Sequence, residues 1–207
     1  GVDIEGLATK PWDVSPEFDS IVDSEFKTLK KEASQFLTGD VKAPHYGQSE
    51  AKADIPVGHQ AAGWRSYNLI ECYEEQTHRQ KQFPRTVEVL SKLSQHHSIV
   101  HAGFLILEKG VEIPTHADGA NWLLSYQYGL LVPDDCYLEV CGERRPHIEG
   151  QSLVFNDSYL HSAANNSQKT RVLLAVLYAN PQLSKVEQNA MRKLVEILPE
   201  NSLVYSK

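Results

Sequence analysis

His116 and Asp118, two positions apart, are the residues of this sequence best suited to hold a metal ion. Side chains two positions apart on an extended backbone project to the same side. His161 offers a third ligand just after the strand-and-turn passage at 155–160. Two imidazoles and one carboxylate on one face of an octahedron are the ligand set of iron(II) oxygenases, and they leave three positions open. The pattern therefore predicts an iron(II) site at these three residues.

Arg171 follows His161 by ten residues, at the start of an apolar stretch that continues to Leu177. A guanidinium inside a small apolar barrel is costly unless it meets a carboxylate. Because guanidinium and carboxylate pair through two parallel hydrogen bonds, Arg171 is the natural anchor for the distal acid group of 2-oxoglutarate.

Each of these residues also has a simpler interpretation. His116 and His161 could be ordinary polar residues at strand ends. Asp118 could be a turn residue, since it precedes Gly119 and Asp-Gly is a common turn pair. Arg171 could form a surface ion pair that contributes little.

The chain pattern predicts helices at both ends of a β-rich centre. Apolar residues at 15–36 recur at three- and four-residue steps, which predicts an amphipathic helix that begins near Ser15 and is closed by Gly39. The polar segment 40–60 predicts a connecting loop, and 86–93 predicts a short helix after Pro84. Beyond Pro181 the helical period returns until Pro199.

Between these helices the sequence changes to short segments rich in β-branched and aromatic residues. The predicted strands are 99–107, 122–132, 137–140, 152–155 and 171–177. Many short strands separated by turn residues predict a sandwich or a barrel. Tyr126 and Tyr128 alternate with strand spacing, so a place in the core or wall is expected. His96, His97 and His101 are expected to precede the barrel, in solvent or behind the ligands, and His147 to lie near its mouth.

Composition excludes several function classes. The chain has 207 residues, 41% of them hydrophobic, and a net charge of −7, which argues against a nucleic-acid surface. We also expect no membrane span and no signal peptide, because no apolar run is long enough and the N-terminal segment lacks the order of a leader. Three cysteines without CxxC spacing favour a reduced, cytoplasmic setting.

Residues 63–181 resemble the aspartyl/asparaginyl β-hydroxylase family, a branch of the 2-oxoglutarate oxygenases that also includes proline hydroxylases. The matching motifs follow in order along the chain: Gly63-Trp64-Arg65, Ile113-Pro114-Thr115-His116, Asn121, Gly129-Leu130-Leu131-Val132-Pro133, Glu149-Gly150, Phe155-Asn156-Asp157-Ser158, His161, Arg171 and Asn180-Pro181. The resemblance implies a mainly β fold, a double-stranded β-helix (jelly-roll, cupin-like) with flanking helices. It would comprise an N-terminal helix and loop at 1–60, the oxygenase core at 61–181 and a C-terminal helix at 182–207.

The resemblance also assigns roles. It implies that His116 and His161 are the histidine ligands, that Arg171 anchors 2-oxoglutarate, and that Trp64 lines the co-substrate pocket, although Trp64 by its residue type alone is a packing residue. Asn121 matches a family asparagine with a structural or supporting role.

The sequence departs from the family pattern in two respects, one at Asp118 and the other at Ser125 and Gln127. Animal peptide aspartyl hydroxylases carry no carboxylate at the position of Asp118, whereas proline hydroxylases and bacterial members do. An arginine and a histidine of the peptide-acting members are replaced here by Ser125 and Gln127. We expect these two residues to help bind a carboxylate of the co-substrate through hydrogen bonds, without carrying a charge.

Together these observations predict a dioxygenase that uses iron(II), 2-oxoglutarate and O2 to hydroxylate an amino-acid-like substrate, either free, carrier-bound or within a peptide. Succinate and CO2 would be the co-products. Two alternatives stay open. One is a cupin-like protein that binds a metal or small ligand without oxidation, and the other is a degenerate family member that acts as a sensor or scaffold.

Overall fold

The computed structural model describes residues 3–45, 62–118 and 120–197. Most of the predicted loop at 40–60, together with Gly119 and Pro199, lies outside these residues. Within them the chain forms five helices and eleven strands. The helices are α1 Pro16–Ala33, α2 Gln35–Thr38, α3 Thr77–Gln80, α4 Pro84–Leu93 and α5 Lys185–Ile197. The strands are β1 Trp12–Asp13, β2 Trp64–Glu71, β3 Glu74–Glu75, β4 Ile99–Leu107, β5 Val111–His116, β6 Leu123–Leu131, β7 Cys136–Val140, β8 Glu143–Pro146, β9 Ser152–Phe155, β10 His161–Asn165 and β11 Arg171–Ala179.

The strands pair into two antiparallel sheets. The larger sheet has the order β1-β9-β6-β11-β4-β2-β3 and the smaller has the order β5-β10-β7-β8. Side chains of both sheets meet in one buried cluster, in which Trp64, Leu107 and Phe155 of the larger sheet face Ile113, Leu138, Val140 and Ala163 of the smaller. Two such sheets around a shared interior, with helices outside, are a jelly-roll. The predicted fold class is therefore confirmed.

Strand alternation gives the larger sheet an interior face and a face covered by helices. In β6, Ser125 and Gln127 line the interior cavity, while Tyr126 and Tyr128 are buried in the apolar cluster on the opposite side. The Tyr126 hydroxyl donates to Asp19 of α1 at 3.0 Å, and the Tyr128 hydroxyl donates to Asp23 at 2.6 Å. The two tyrosines therefore fix α1 on the back of the strand that carries two predicted site residues.

Helix α1 follows the predicted amphipathic pattern. Its fully buried residues Phe18, Val22, Leu29 and Ala33 recur at helical steps, so one face packs on the sheet. Pro16 occupies the first turn, where its missing N–H is tolerated. The helical path ends after α2 at Gly39, whose φ of 79° is a left-handed conformation that glycine adopts easily.

Helix α5 closes one end of the barrel. Its Met191 and Val195 are buried together with Trp122, Val100 and Leu183, and the N-terminal residues Ile4 and Leu7 pack against them. This agrees with the predicted C-terminal helix. None of the helices in the described ranges is both long enough and apolar enough to span a membrane.

Six strands were absent from the sequence-based prediction: β1, β2, β3, β5, β8 and β10. The expectation that three histidines precede the barrel is wrong for His101, which lies within β4 and lines the interior cavity. His97 is not simply solvated either, because its ring lies 5.2 Å from the Tyr178 ring and 5.4 Å from the Phe18 ring, centroid to centroid.

Candidate metal centre

The structure brings His116, Asp118 and His161 together. One potential ligand atom of each side chain lies within 4.8 Å of the others. His116 ends β5 and His161 begins β10, and the two residues are direct partners across these antiparallel strands. Asp118 follows β5, and its backbone N–H donates to the Asp157 carbonyl at 2.8 Å. The spacing seen in the sequence therefore produces one compact cluster from two neighbouring strands.

Backbone carbonyls fix the orientation of both imidazoles. Nδ1 of His116 lies 2.7 Å from the Pro114 carbonyl oxygen, and Nδ1 of His161 lies 2.8 Å from that of Tyr159. A carbonyl oxygen can only accept, so in each ring Nδ1 carries the proton. Nε2 of each neutral ring then carries the lone pair that a metal requires.

Aromatic rings pack against both histidines. The Trp64 ring lies 5.9 Å from the His116 ring, and the Phe155 ring lies edge-on to His161 at 5.2 Å, centroid to centroid. Trp64 and Phe155 are themselves buried, so they limit the access of water and of bulky groups to this side of the cluster.

A second carboxyl group lies beside the cluster. Asp157 is buried in the turn before His161 and lines the same cavity. Burial, and then the neighbouring Asp118 carboxylate, raise the pKa of the Asp157 carboxyl well above its usual range. This favours its protonated form and limits the negative charge at the site. Sequence reasoning noted the turn but gave Asp157 no role.

A cavity of about 120 Å³ contains the cluster. All of the predicted site residues line it: His116, Asp118, His161, Arg171, Trp64, Ser125 and Gln127. Much of the remaining lining is apolar and comes from both sheets, including Ile113, Leu138 and Phe155. The sequence-based prediction therefore selected residues from five strands and one turn that share a single interior space.

Arg171 lies inside the barrel, with 2% of its surface exposed. Its Nη1 donates to Nδ1 of His147 at 3.3 Å, while Nε has no hydrogen-bond partner within residues 3–45, 62–118 and 120–197. Burial lowers the pKa of its guanidinium to about 10. No carboxylate among the described residues forms an ion pair with it. The alternative of a surface ion pair is therefore wrong, and the site presents a buried cation to the cavity.

Strand register separates the two polar residues of β6. Ser125 lies opposite Phe155, whose ring packs on His161, so it lies at the level of the metal cluster. Gln127 lies two residues farther along β6, and its Oε1 is 3.0 Å from Nε2 of His147, which in turn contacts Arg171. The two residues were expected to bind the co-substrate together, but only Gln127 is linked to the Arg171 end of the cavity.

Two histidines that sequence reasoning left without a specific role lie at the site. His147 is buried between Gln127 and Arg171. His101 lies in the row opposite Leu177, and its Nδ1 accepts from the Cys72 N–H at 3.4 Å. Neither carries a local motif, since their partners come from distant strands.

Asn121 has a structural role, because its side chain hydrogen-bonds both backbone groups of Ile4.

Comparisons with known proteins agree with this arrangement. A family model described as aspartyl/asparaginyl beta-hydroxylase matches residues 23–181. The ornithine lipid ester-linked acyl 2-hydroxylase of Rhizobium tropici is 27% identical over 177 residues, which cover 84% of this chain and 59% of that protein. The aspartate beta-hydroxylase domain-containing protein 2 of Xenopus tropicalis is 30% identical over 117 residues, or 54% of this chain and 32% of that protein. The chain thus spans less than two thirds of the length of either relative.

Among solved structures, the non-heme alpha ketoglutarate dependent epimerase SnoN from nogalamycin biosynthesis aligns with 77% of this chain and 74% of its own, at a TM-score of 0.49 and 14% identity. A likeness this distant has no bearing on activity.

Proposed function

Because the chain belongs to the aspartyl/asparaginyl β-hydroxylase family, we propose that it is an iron(II)- and 2-oxoglutarate-dependent dioxygenase that hydroxylates its substrate. One observation carries this proposal: a single cavity contains both a His-Asp-His cluster and a buried arginine without a carboxylate partner among the described residues. A site that only bound a metal would have no use for Arg171.

The donor set fits iron(II). His116 and His161 would each offer Nε2, and Asp118 a carboxylate oxygen, which is the two-histidine, one-carboxylate set of non-haem iron(II) oxygenases. When bound, iron(II) with 2-oxoglutarate and O2 supplies the oxidising power that hydroxylates an unactivated carbon, with succinate and CO2 as co-products. The protein's part is to orient the ligands, which the carbonyls of Pro114 and Tyr159 do by fixing both imidazole tautomers.

Arg171 would bind the distal carboxylate of 2-oxoglutarate. The guanidinium is buried, and a carboxylate would supply the acceptors that Nε and the remaining N–H groups require. Gln127 lies at the same end of the cavity, and Trp64 forms part of the wall next to His116. We assign Ser125 to the level of the metal rather than to the distal carboxylate, because it is paired with Phe155.

The apolar part of the cavity excludes water around the reacting groups. Ile113, Leu138, Phe155 and Ala163 line it between the two sheets. In such surroundings, hydrogen bonds from Arg171 to a carboxylate are stronger than in water, so the co-substrate is held in one orientation.

The substrate we propose is amino-acid-like. His101 and Ser125 lie opposite Leu177, and Asn68 lies in the neighbouring row of Ala175; all three line the cavity and are polar but uncharged groups suited to amide, hydroxyl or carboxyl contacts. A second candidate is an acyl chain of an amino-acid-containing lipid, because the acyl 2-hydroxylase of Rhizobium tropici aligns with 84% of this chain. Succinate release with amino acids, peptides and ornithine lipid vesicles offered separately would distinguish the two classes. We also propose a reduced, cytoplasmic setting, which three cysteines without CxxC spacing favour.

An anaerobic titration of the metal-free protein with iron(II) and then 2-oxoglutarate tests the function. We expect a visible metal-to-ligand charge-transfer band in the wild type and its loss in His161→Ala. The matched control is His96→Ala, which removes an exposed histidine and should leave the band unchanged. Metal binding without a band would favour the non-oxidative cupin-like protein instead.

A further inference from the structure

His147 lies behind the cavity, in contact with two of the residues that line it, Gln127 and Arg171. It is 6% exposed, and its neighbours Gln127 and Arg171 are 8% and 2% exposed. Its Nε2 lies 3.0 Å from Oε1 of Gln127, and its Nδ1 lies 3.3 Å from Nη1 of Arg171. The imidazole therefore bridges the two residues that face the Arg171 end of the cavity.

The hydrogen-bonding groups of Arg171 and Gln127 determine which ring nitrogen of His147 carries the proton. Arginine has donors and no acceptor, so Nδ1 of His147 must accept from it. The remaining ring proton then lies on Nε2 and is donated to the oxygen of Gln127. Because that oxygen already accepts a bond, the Gln127 amide presents its NH2 group, a pure donor, to the cavity. Burial, and then the Arg171 charge, lower the pKa of His147 well below its usual range and keep the ring neutral.

We propose that His147 is a positioning residue: it holds the Arg171 guanidinium in place and turns the Gln127 amide so that both present hydrogen-bond donors to the distal carboxylate of 2-oxoglutarate. This inference deepens the proposed function and rests on it. It explains how the neutral Gln127 can serve where peptide-acting family members have a charged residue. Because His147 holds the amide oxygen of Gln127, that oxygen does not face the carboxylate and repel it.

The fold anchors the segment that carries His147. The backbone N–H of His147 donates to the Cys136 carbonyl at 2.9 Å, and the N–H of Gly150 donates to the Gly129 carbonyl at 2.8 Å. A Cβ on Gly129 would lie 2.3 Å from the Ile148 carbonyl oxygen, closer than any real contact. Glycine at 129 therefore allows this segment to lie directly against β6, with His147 aimed inward.

A purely structural role would not need this arrangement. Three polar side chains are removed from water here, and they satisfy one another only in part, because Nε of Arg171 has no partner in the part of the chain that the structure describes. An apolar side chain at 147 would avoid the cost of burying an imidazole beside a cation. Burying these three side chains together is favourable only when an anion accepts the hydrogen bonds that they leave unmade.

The test compares two 2-oxo acids on the iron(II)-loaded protein under anaerobic conditions. 2-Oxoglutarate has the distal carboxylate and 2-oxobutyrate lacks it, but both chelate the metal through the same groups. We expect His147→Phe to raise the Kd for 2-oxoglutarate by about tenfold or more, because it weakens hydrogen bonds to a charged carboxylate. Its Kd for 2-oxobutyrate should stay within about twofold of the wild-type value, which also reports that the cavity is intact.

Two conservative variants test the assignment of each ring nitrogen. In His147→Asn the side-chain oxygen can replace Nδ1 as the acceptor for Arg171, and in His147→Gln the amide N–H can replace Nε2 as the donor to Gln127. Each should recover part of the affinity for 2-oxoglutarate. His96→Phe, at an exposed histidine, is the matched control and should change neither Kd.

The outcomes separate this inference from the function on which it rests. Unchanged 2-oxoglutarate affinity in His147→Phe would overturn the role of His147 while leaving the function in place. Equal losses for both acids would also overturn it, because they would mean that His147 only maintains the cavity. If the wild type bound the two acids equally well, the anchoring role of Arg171 would fail, and with it both proposals.

Discussion

The imidazole rings of His116 and His161 lie 4.2 Å apart, centroid to centroid, across the paired strands β5 and β10. In each ring, Nδ1 contacts the carbonyl of the residue two positions earlier, Pro114 or Tyr159. The same local hydrogen bond therefore orients both rings, one at the end of β5 and the other at the start of β10. It leaves Nε2 of each ring unprotonated, so that both nitrogens can offer a lone pair to a metal.

Asp118→Asn should lower the affinity for iron(II) by at least about tenfold, because it removes the one anionic ligand and keeps the size of the side chain. Asparagine also forms turns readily, so the backbone conformation before Gly119 is preserved. The affinity is measured by competition with a chromogenic chelator, with Asp40→Asn at an exposed carboxylate as the control. If both variants bound iron(II) like the wild type, Asp118 would be a turn residue and not a ligand.

Arg171→Met should stabilise the ligand-free protein while abolishing its selectivity for 2-oxoglutarate. Arg171 is a buried cation that forms no ion pair with a carboxylate of the described segments. Removing it recovers several kcal/mol of desolvation free energy, of which the lost hydrogen bond to His147 offsets only a part. We expect the free energy of unfolding to rise by roughly 1 kcal/mol or more, as measured by urea denaturation with a metal chelator present.

The matched control for this variant is Arg65→Met. Arg65 forms a partly exposed ion pair with Glu108 at 2.7 Å, which contributes at most about 1 kcal/mol. Its loss should leave stability unchanged or slightly reduced. A destabilised Arg171→Met protein would contradict the view that Arg171 is retained for ligand binding at the expense of stability.

Sequence patterns located strands that are rich in β-branched and aromatic residues and are bounded by turn residues. The strand predicted at 99–107 coincides with β4, and that at 152–155 coincides with β9. Two of the strands that were missed, β5 and β10, have weaker patterns for physical reasons. β5 contains Pro114, which is tolerated because β5 is an edge strand of the smaller sheet. β10 consists of small and polar residues that have little intrinsic strand preference.

The candidate site was partly predictable because two of its three ligand candidates are close in sequence and the residue types are chemically distinctive. His116 and Asp118 are two residues apart, and Arg171 begins an apolar strand. His147 could not be found in the same way, because its partners lie 20 and 24 residues away and its neighbours in sequence carry no motif. The separate levels of Ser125 and Gln127 also depend on strand register, which a single sequence does not specify.

His101 should make the stability of the metal-free protein depend on pH. Burial lowers the pKa of its imidazole to about 4, against about 6.5 in the unfolded chain. Between these values the unfolded chain binds the extra proton and the folded protein does not, so protons favour unfolding. The stabilisation is complete above about pH 6.5 and is lost as the pH falls toward 4, by roughly 3 kcal/mol in total.

His101→Asn isolates this contribution, because its side-chain oxygen can still accept the hydrogen bond from the Cys72 N–H. Urea unfolding at pH 7 and pH 4.5, with chelator present, should give a smaller loss of stability in the variant than in the wild type, by roughly 2 kcal/mol. His78→Asn, at an exposed histidine, controls for removal of an imidazole and should behave like the wild type. Parallel pH profiles for wild type and His101→Asn would mean that the imidazole is hydrated in the folded protein, and that the cavity admits water as far as β4.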